Sequence, residues 1–354
     1  MKKLLFLTAL VVTALVSYGQ KVDLDKFNHT FDYRDLPRNP QNPEYKTYSV
    51  STNVPSSVRM TYGDKGIENG VSIQGLKKVT DVKGHLIVYV SMNDLIFTAS
   101  KVNERVEVQK DKDGKETGRK YYYKVDATYT WGGTGSIGDY KGTAIGSMDL
   151  QASASTWASS EYPTYKEAAD YFNNNVNSIR DGLLRTEIKS ALGSLNNWLS
   201  TNYGYAERTD YEILWILDSK KHPEYAAQHE NWEAFKATVA TVKRDAISDE
   251  TKNKFYEIIK YFDGIPSKFT TDEKADKKMR YASYYNKARI YLYLDNPEAA
   301  IKEADALIAN GYDDGDGKRL KKEAEALAEL FKKNNATSRH FTIDLSTATP
   351  PAAN

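Results

Sequence analysis

Lys120-Tyr121-Tyr122-Tyr123-Lys124-Val125-Asp126-Ala127-Thr128-Tyr129-Thr130-Trp131 decides the fold class, because its side chains sort with a period of two. Tyr121, Tyr123, Val125, Ala127, Tyr129 and Trp131 fall on one face and Lys120, Tyr122, Lys124, Asp126, Thr128 and Thr130 on the other. Successive strand residues point to opposite faces, so this is a strand with one face expected to be buried and one wet. Just before it, Val102, Val106 and Val108 alternate with Asn103, Arg105, Glu107 and Gln109, and the polar stretch 110–118 between the two contains Asp113-Gly114. Asp-Gly suits a tight turn, which predicts an antiparallel hairpin between 102–109 and 119–131.

Outward from this hairpin the same period recurs in Leu86, Val88, Val90 and Met92. It returns in Ala144, Gly146, Met148, Leu150 and Ala152 after the Asp139-Tyr140-Lys141-Gly142 turn. Residues 46–53 and 71–79 carry weaker strand signals. Near residue 160 the period becomes helical. Thr164 with Glu167, Thr209 with Glu212, and Thr270 with Glu273 have the spacing of a capping box, in which hydroxyl and carboxylate satisfy free backbone N–H groups. The stripe from Tyr165 to Leu199 is expected to break near Gly182. Further helices are predicted over 211–217, 223–242, 248–263, 272–294, 297–309 and 318–332. The expected fold is α+β: an N-terminal antiparallel β-rich domain over 20–160, then an α-helical domain over 161–337. A tail over 338–354 has no sustained period and is expected to be flexible.

The first residues read as an address. Lys2 and Lys3 precede an apolar run from Leu4 to Val16, and Ser17 and Gly19 put small side chains at −3 and −1 of a cleavage site before Gln20. Residues 1–19 therefore resemble a secretory signal, too short in its apolar run to span a bilayer. A lipid anchor of the bacterial type needs a cysteine after the cleavage site. The chain has none, so the expectation is an exported, periplasmic or outer-membrane-associated protein that is not a lipoprotein and has no transmembrane helix once mature. With 49 Lys and Arg against 48 Asp and Glu, the electrostatic footprint of a nucleic-acid binder is missing.

Helices at 272–294 and 297–309 carry a family resemblance. Tyr284, Ala288, Tyr291 and Ala300, within the run Tyr284 to Ile301, match the aromatic and small positions of a tetratricopeptide-type helical hairpin, which this segment resembles over about 50 residues. The run on to Ala309-Asn310-Gly311-Tyr312 is similar to hairpins in SusD-type glycan-uptake proteins of Bacteroidetes. The first resemblance implies a protein-binding surface and the second a glycan-binding one.

Catalytic motifs are not found. The five histidines, at 29, 85, 222, 229 and 340, include no pair three or four apart that would present two imidazoles on one helix face. The glycine run 132–136 lies between strands and reads as a hairpin loop, and Asp313-Asp314-Gly315-Asp316-Gly317 as a solvated turn between helices. No metal, cofactor or enzymatic activity is expected. Two functions remain: an exported interaction or scaffolding component that binds envelope proteins, or a glycan or small-ligand binder of a SusD-like uptake system. The candidate binding residues are Lys287, Glu298 and Lys302 on the helical hairpin surface. Among the 26 tyrosines, Tyr122 is the candidate aromatic ligand contact, since it points away from the apolar face.

Overall fold

Segments with period two form strands and those with helical period form helices, so the chain is α+β. The computed structural model describes residues 21–352 apart from 64, 152 and 153; the expected signal segment lies outside the described residues. In chain order the elements begin β1 (Leu24–Arg34), β2 (Thr47–Asn53), α1 (Ser56–Tyr62), α2 (Gly66–Gly70), β3 (Lys77–Lys78), β4 (Leu86–Met92), β5 (Ile96–Lys110) and β6 (Glu116–Thr130). They continue with β7 (Gly133–Asp139), β8 (Ala144–Gln151), β9 (Ser155–Ala158), α3 (Tyr165–Tyr203) and β10 (Glu207–Leu217). The remainder is helical: α4 (Tyr225–Val239), α5 (Asp249–Asp263), α6 (Ile265–Lys268), α7 (Lys274–Tyr293), α8 (Pro297–Asn310) and α9 (Asp314–Asn334).

These elements form two compact units, and the division does not fall near residue 160 as the change of period implied. One unit is Gln41–Tyr205 with the segment from Asp344; the other is the chain up to Pro40 with Ala206–Ile343. In the first, a five-stranded sheet runs β3-β2-β4-β7-β8, and a three-stranded sheet runs β5-β6-β9. The larger sheet is mixed rather than wholly antiparallel, because β2 pairs parallel with β4. Parallel neighbours need a long crossover, supplied by the segment holding α1, α2 and β3. Helix α3 covers one face, burying Leu184, Ile188, Leu192, Leu195 and Leu199 against Val88, Val90, Ile137 and Leu150. Each such leucine contributes roughly 2 kcal/mol. A sheet face of this size must be covered, which is why the first long helix belongs with the strands. Thr164 caps it as expected, its Oγ1 accepting from the Glu167 N–H. The helix runs unbroken through Gly182, since packing on both sides outweighs a glycine penalty of about 1 kcal/mol.

In the second unit β1 pairs antiparallel with β10. Residues 211–217, expected as a helix, are therefore strand. Thr209 does not cap a helix but donates its hydroxyl to Asp32 across the ladder at 2.5 Å. Phe31, Leu214 and Ile216 face a core built by Trp232, Phe235, Phe255, Phe262, Ile290 and Tyr293 from α4, α5 and α7. The pattern Ile213-Leu214-Trp215-Ile216-Leu217 holds β-branched and aromatic residues that accept either state, and the partner strand decides. The open side of β10 is met at its C-terminal end by helix side chains: the Asn286 amide accepts from the Trp215 N–H and donates to its carbonyl, both at 2.8 Å. Gln228 accepts from the Leu217 N–H at 2.8 Å.

Helices α7 and α8 form the expected antiparallel hairpin, with Ala288, Ala300 and Ala304 fully buried between helices. Helix α7 starts one residue after Glu273, which is its N-cap without a side-chain bond, so the Thr270–Glu273 box does not form. The turn to α8 places Asp295 at φ 55°, a left-handed conformation that Asp tolerates better than most residues. Its carboxylate accepts from Ser338 Oγ, the Arg339 N–H and Arg339 Nε at 2.6 to 2.9 Å. That pins the segment expected to be a flexible tail. His340 is buried with Nδ1 on the Lys243 carbonyl, and the carbonyl of buried Ala348 accepts from Lys77 Nζ at 3.0 Å. The acidic cluster at 313–317 is the start of α9, capped by Asp313 Oδ1, which accepts from the Gly315 and Asp316 N–H groups. A methyl at Gly317 would lie 2.6 Å from Ile308 Cγ1 and 3.1 Å from the Ala304 carbonyl oxygen, so α8 and α9 approach too closely for a side chain.

Overpacking these two contacts is therefore expected to destabilise: Ala288→Leu and Gly317→Ala should each lower unfolding free energy by about 1–3 kcal/mol in urea titrations. The exposed Ala309→Leu, on α8, should change it by less than about 0.5 kcal/mol.

Candidate functional site

The hairpin β5–β6 is the strongest departure from a covered surface. Strand β9 pairs with β6 only over Asp126–Tyr129, and a bridge from Tyr162 to Tyr123 extends that cover by one contact. Beyond Arg105 and Tyr122 the two strands pair, among the described residues, only with each other. The turn closes on Asp111, whose Oδ1 accepts from the Asp113 and Lys115 N–H groups, with Gly114 at φ 80°. Positive φ there is the reason for glycine.

Cross-strand register places Val102 opposite Val125 and Val106 opposite Tyr121, so the apolar residues read from the sequence share one face, with Glu104 between the valines and bonded by the Tyr123 hydroxyl at 2.8 Å. Its base is buried: Val125, Ala127, Ala168 and Phe172 form a small core with Val102, Tyr123 and Trp157 at its margin. Its outer half is not. Val106, Val108 and Tyr121 are 41%, 42% and 44% exposed, because the hairpin outruns α3. The expectation that all six alternating residues are buried thus holds for Val125 to Trp131 and fails for Tyr121.

On the opposite face Tyr122 is half-buried, with the Arg105 guanidinium 4.3 Å and Lys120 Nζ 5.1 Å from its ring centre. Arg105 is held in turn by both Glu161 oxygens at 2.7 and 2.8 Å. The ring proposed as a ligand contact is therefore already occupied by two cations of its own hairpin.

On the helical hairpin, the structure separates the three candidate residues. Glu298 and Lys302 are exposed on α8. Lys287 is not: it is 4% exposed, with Nζ 2.8 Å from Asp263 and 2.7 Å from Glu303. Burial alone would depress its pKa, but the bonds to Asp263 and Glu303 together raise it, so the ammonium stays charged. A lysine at a helix position facing another helix has nowhere to go except an ion pair, and no local pattern in the chain signals that 263 and 303 converge there.

Deeper in the same unit lies a polar cluster absent from the sequence reading. Arg289 is almost wholly buried, with Nη1 3.1 Å from Glu212 and 2.7 Å from Glu323. Burial raises the Glu212 carboxyl above its usual range. His29 Nε2 lies 2.8 Å from Tyr293 Oη and its ring packs on Phe235 and Trp232. Burial holds its pKa down at about 4, so the imidazole is neutral in the folded protein. These groups stabilise one another in the core; among the described residues no group of three or more His, Cys, Asp or Glu side chains is placed to hold a metal ion. A cavity of about 490 Å³ adjoins this region, lined by Tyr33, Asp35, Asp210, Glu323, Leu327 and Arg339 among others. Arg339 is already spent on Asp295 and on the Tyr33 ring. No helix among the described residues is long and apolar enough to cross a membrane.

Comparison with known proteins adds little. No family model and no curated protein matches the chain. The crystal structure of a minor lipoprotein from Acinetobacter baumannii aligns with 46% of this chain and 96% of that one, at 16% identity and a TM-score of 0.20. A likeness that slight carries no argument.

Two outcomes follow from the buried charges. Lys287→Ala leaves Glu303 buried without its cation and should cost about 2–3 kcal/mol in unfolding titrations, whereas Lys302→Ala should be nearly neutral. For His29 the pKa is 6.5 unfolded and about 4 folded, so its contribution is complete above pH 6.5 and is lost as pH falls toward 4. Stability measured from pH 7 to 4 should fall, and His29→Gln, which keeps a hydrogen-bonding group without the titration, should flatten part of that slope.

Proposed function

We propose that this protein is a non-catalytic interaction component of the cell envelope, exported by the segment 1–19 and binding through exposed surface rather than through an enclosed site. The observation that carries the reading is the outer half of β5–β6, where Val106, Val108 and Tyr121 stand exposed on one face of the hairpin, beyond the residues that β9 pairs. Apolar side chains gathered on an exposed face mark contact surfaces more often than isolated ones do. The fold gives the hairpin a firm base: Val125 and Ala127 are clamped under α3, and Arg105 is held by Glu161, so an arm of defined shape is offered.

The α7–α8 hairpin supports the tetratricopeptide-type reading through its buried Ala288 and Ala300, and it leaves Glu298 and Lys302 as a second candidate surface. Support for the glycan reading is weaker. The groove beside Trp131 is lined by Asn93, Asp94 and Asp149, but the Trp131 ring is buried and offers no face for a sugar.

Crosslinking and pull-down from native envelopes tests the reading. Replacing Val106, Val108 and Tyr121 together by Ser should abolish capture of envelope partners while the melting temperature moves by less than about 2 °C, since all three are surface residues. Reversing Glu298 and Lys302 in the same assay reports on the helical surface. Unchanged capture in both variants would remove the interaction reading, and loss of binding to a defined glycan instead would favour the alternative.

A further inference from the structure

We infer that the occupant of the β5 edge is a second copy of this chain, so that two arms join edge to edge into a four-stranded β6-β5-β5-β6 sheet. The inference rests on the reading of this arm as the interaction surface and names its partner. Its first ground is the edge itself. Strand β5 ends the order β5-β6-β9, and among the described residues no backbone hydrogen bond links 99–110 to anything but β6. On the long edge strand β10, by contrast, Asn286 and Gln228 side chains meet the backbone at Trp215 and Leu217. An unsealed strand edge is a template for another strand.

The second ground is which strand fits. Edge strands are usually protected by charge, and β5 carries Lys101, Glu104, Arg105, Glu107 and Lys110, which would set like charges opposite one another in most registers and with most partners. Antiparallel pairing of β5 with its own copy about Val106 is an exception. In that register Val106 faces the second copy's Val106, Arg105 faces the second copy's Glu107 on both sides of the axis, Asn103 faces Gln109, and Glu104 faces Val108. Two ion pairs and an apolar contact form and no like charges meet. Arg105 Nε and Nη2 are held by Glu161, and Nη1, which lies 3.7 Å from Glu107 of its own strand, is the atom left to reach the second copy's Glu107. A two-fold interface is self-complementary by construction, so one short sequence must serve both sides, and this one does. The apolar face merges as well, since Val106, Val108 and Tyr121 lie on one side of the hairpin and the pairing sets both stripes side by side.

The test uses the full mature chain. Sedimentation velocity over a wide concentration range should show a reversible monomer–dimer equilibrium. Glu107→Arg places cations opposite one another twice and should weaken dimerisation roughly tenfold. Because the chain has no cysteine, Val106→Cys gives a clean second readout: thiols on the axis should oxidise to a covalent dimer. Val108→Cys should not, since its two copies would sit about 13 Å apart along the ladder, beyond disulfide reach. A monomer at every concentration, or a dimer indifferent to Glu107→Arg with no cross-link through Val106→Cys, overturns the proposal. If the wild-type chain is monomeric while the three-serine variant still loses envelope partners, the arm remains an interaction surface and only self-pairing fails.

Discussion

Eleven residue pairs join Leu24–Arg34 to Glu207–Leu217, and the helical unit depends on that ladder. A two-stranded ribbon is marginal alone in water, and α4, α5 and α7 have no common core without one. Each supplies what the other lacks: Phe31, Leu214 and Ile216 give the apolar face that Trp232, Phe235, Phe255 and Phe262 close over. The whole of Gln41–Tyr205 lies in the chain between the paired strands as an insertion. Closing so long a loop costs little more than closing a short one, because the entropy grows only with the logarithm of length. The insertion is also a folded unit with its own core under α3, so its ends are not free coil.

Helix α7 shows how charge is accommodated in that arrangement. It has neighbours on nearly every side, and Asn286, Lys287 and Arg289 are all buried on it. Three side chains within about one turn therefore work as connectors: Asn286 to the β10 backbone, Lys287 to α5 and α8, Arg289 to β10 and α9. Ion pairs of this kind contribute little net stability over an apolar core, yet breaking one partner is costly. Their effect here is on register, since Lys287 and Arg289 find their carboxylates only when Asp263, Glu303, Glu212 and Glu323 are all in place.

The long strands β10 and β5 differ at their edges: helix side chains of Asn286 and Gln228 meet the β10 backbone at Trp215 and Leu217, whereas among the described residues the backbone of 99–110 bonds only to β6. In the proposed function, binding by the β5–β6 arm would draw on backbone pairing and a narrow apolar stripe, which suits a polypeptide partner better than a small solute.

The sequence alone determined the local structure wherever one pattern had no competitor. Alternation over 120–131 with Asp113-Gly114 gave the hairpin, Thr164 with Glu167 gave the start of α3, and the alanines at 288 and 300 gave a close helical pair. Each of these signals depends on neighbours within about ten residues, and the physics that reads them is local. Tertiary structure decided the rest. Residues 211–217 are strand because β1 lies beside them, and the tail from 338 is held because Asp295 accepts its backbone and guanidinium. Lys287 is buried because Asp263 and Glu303 converge on it, and Tyr121 is exposed because α3 ends before reaching it. A residue's face follows from its period, but whether anything covers that face depends on segments far away in the chain, and alternation carries no information about how far the covering helix extends.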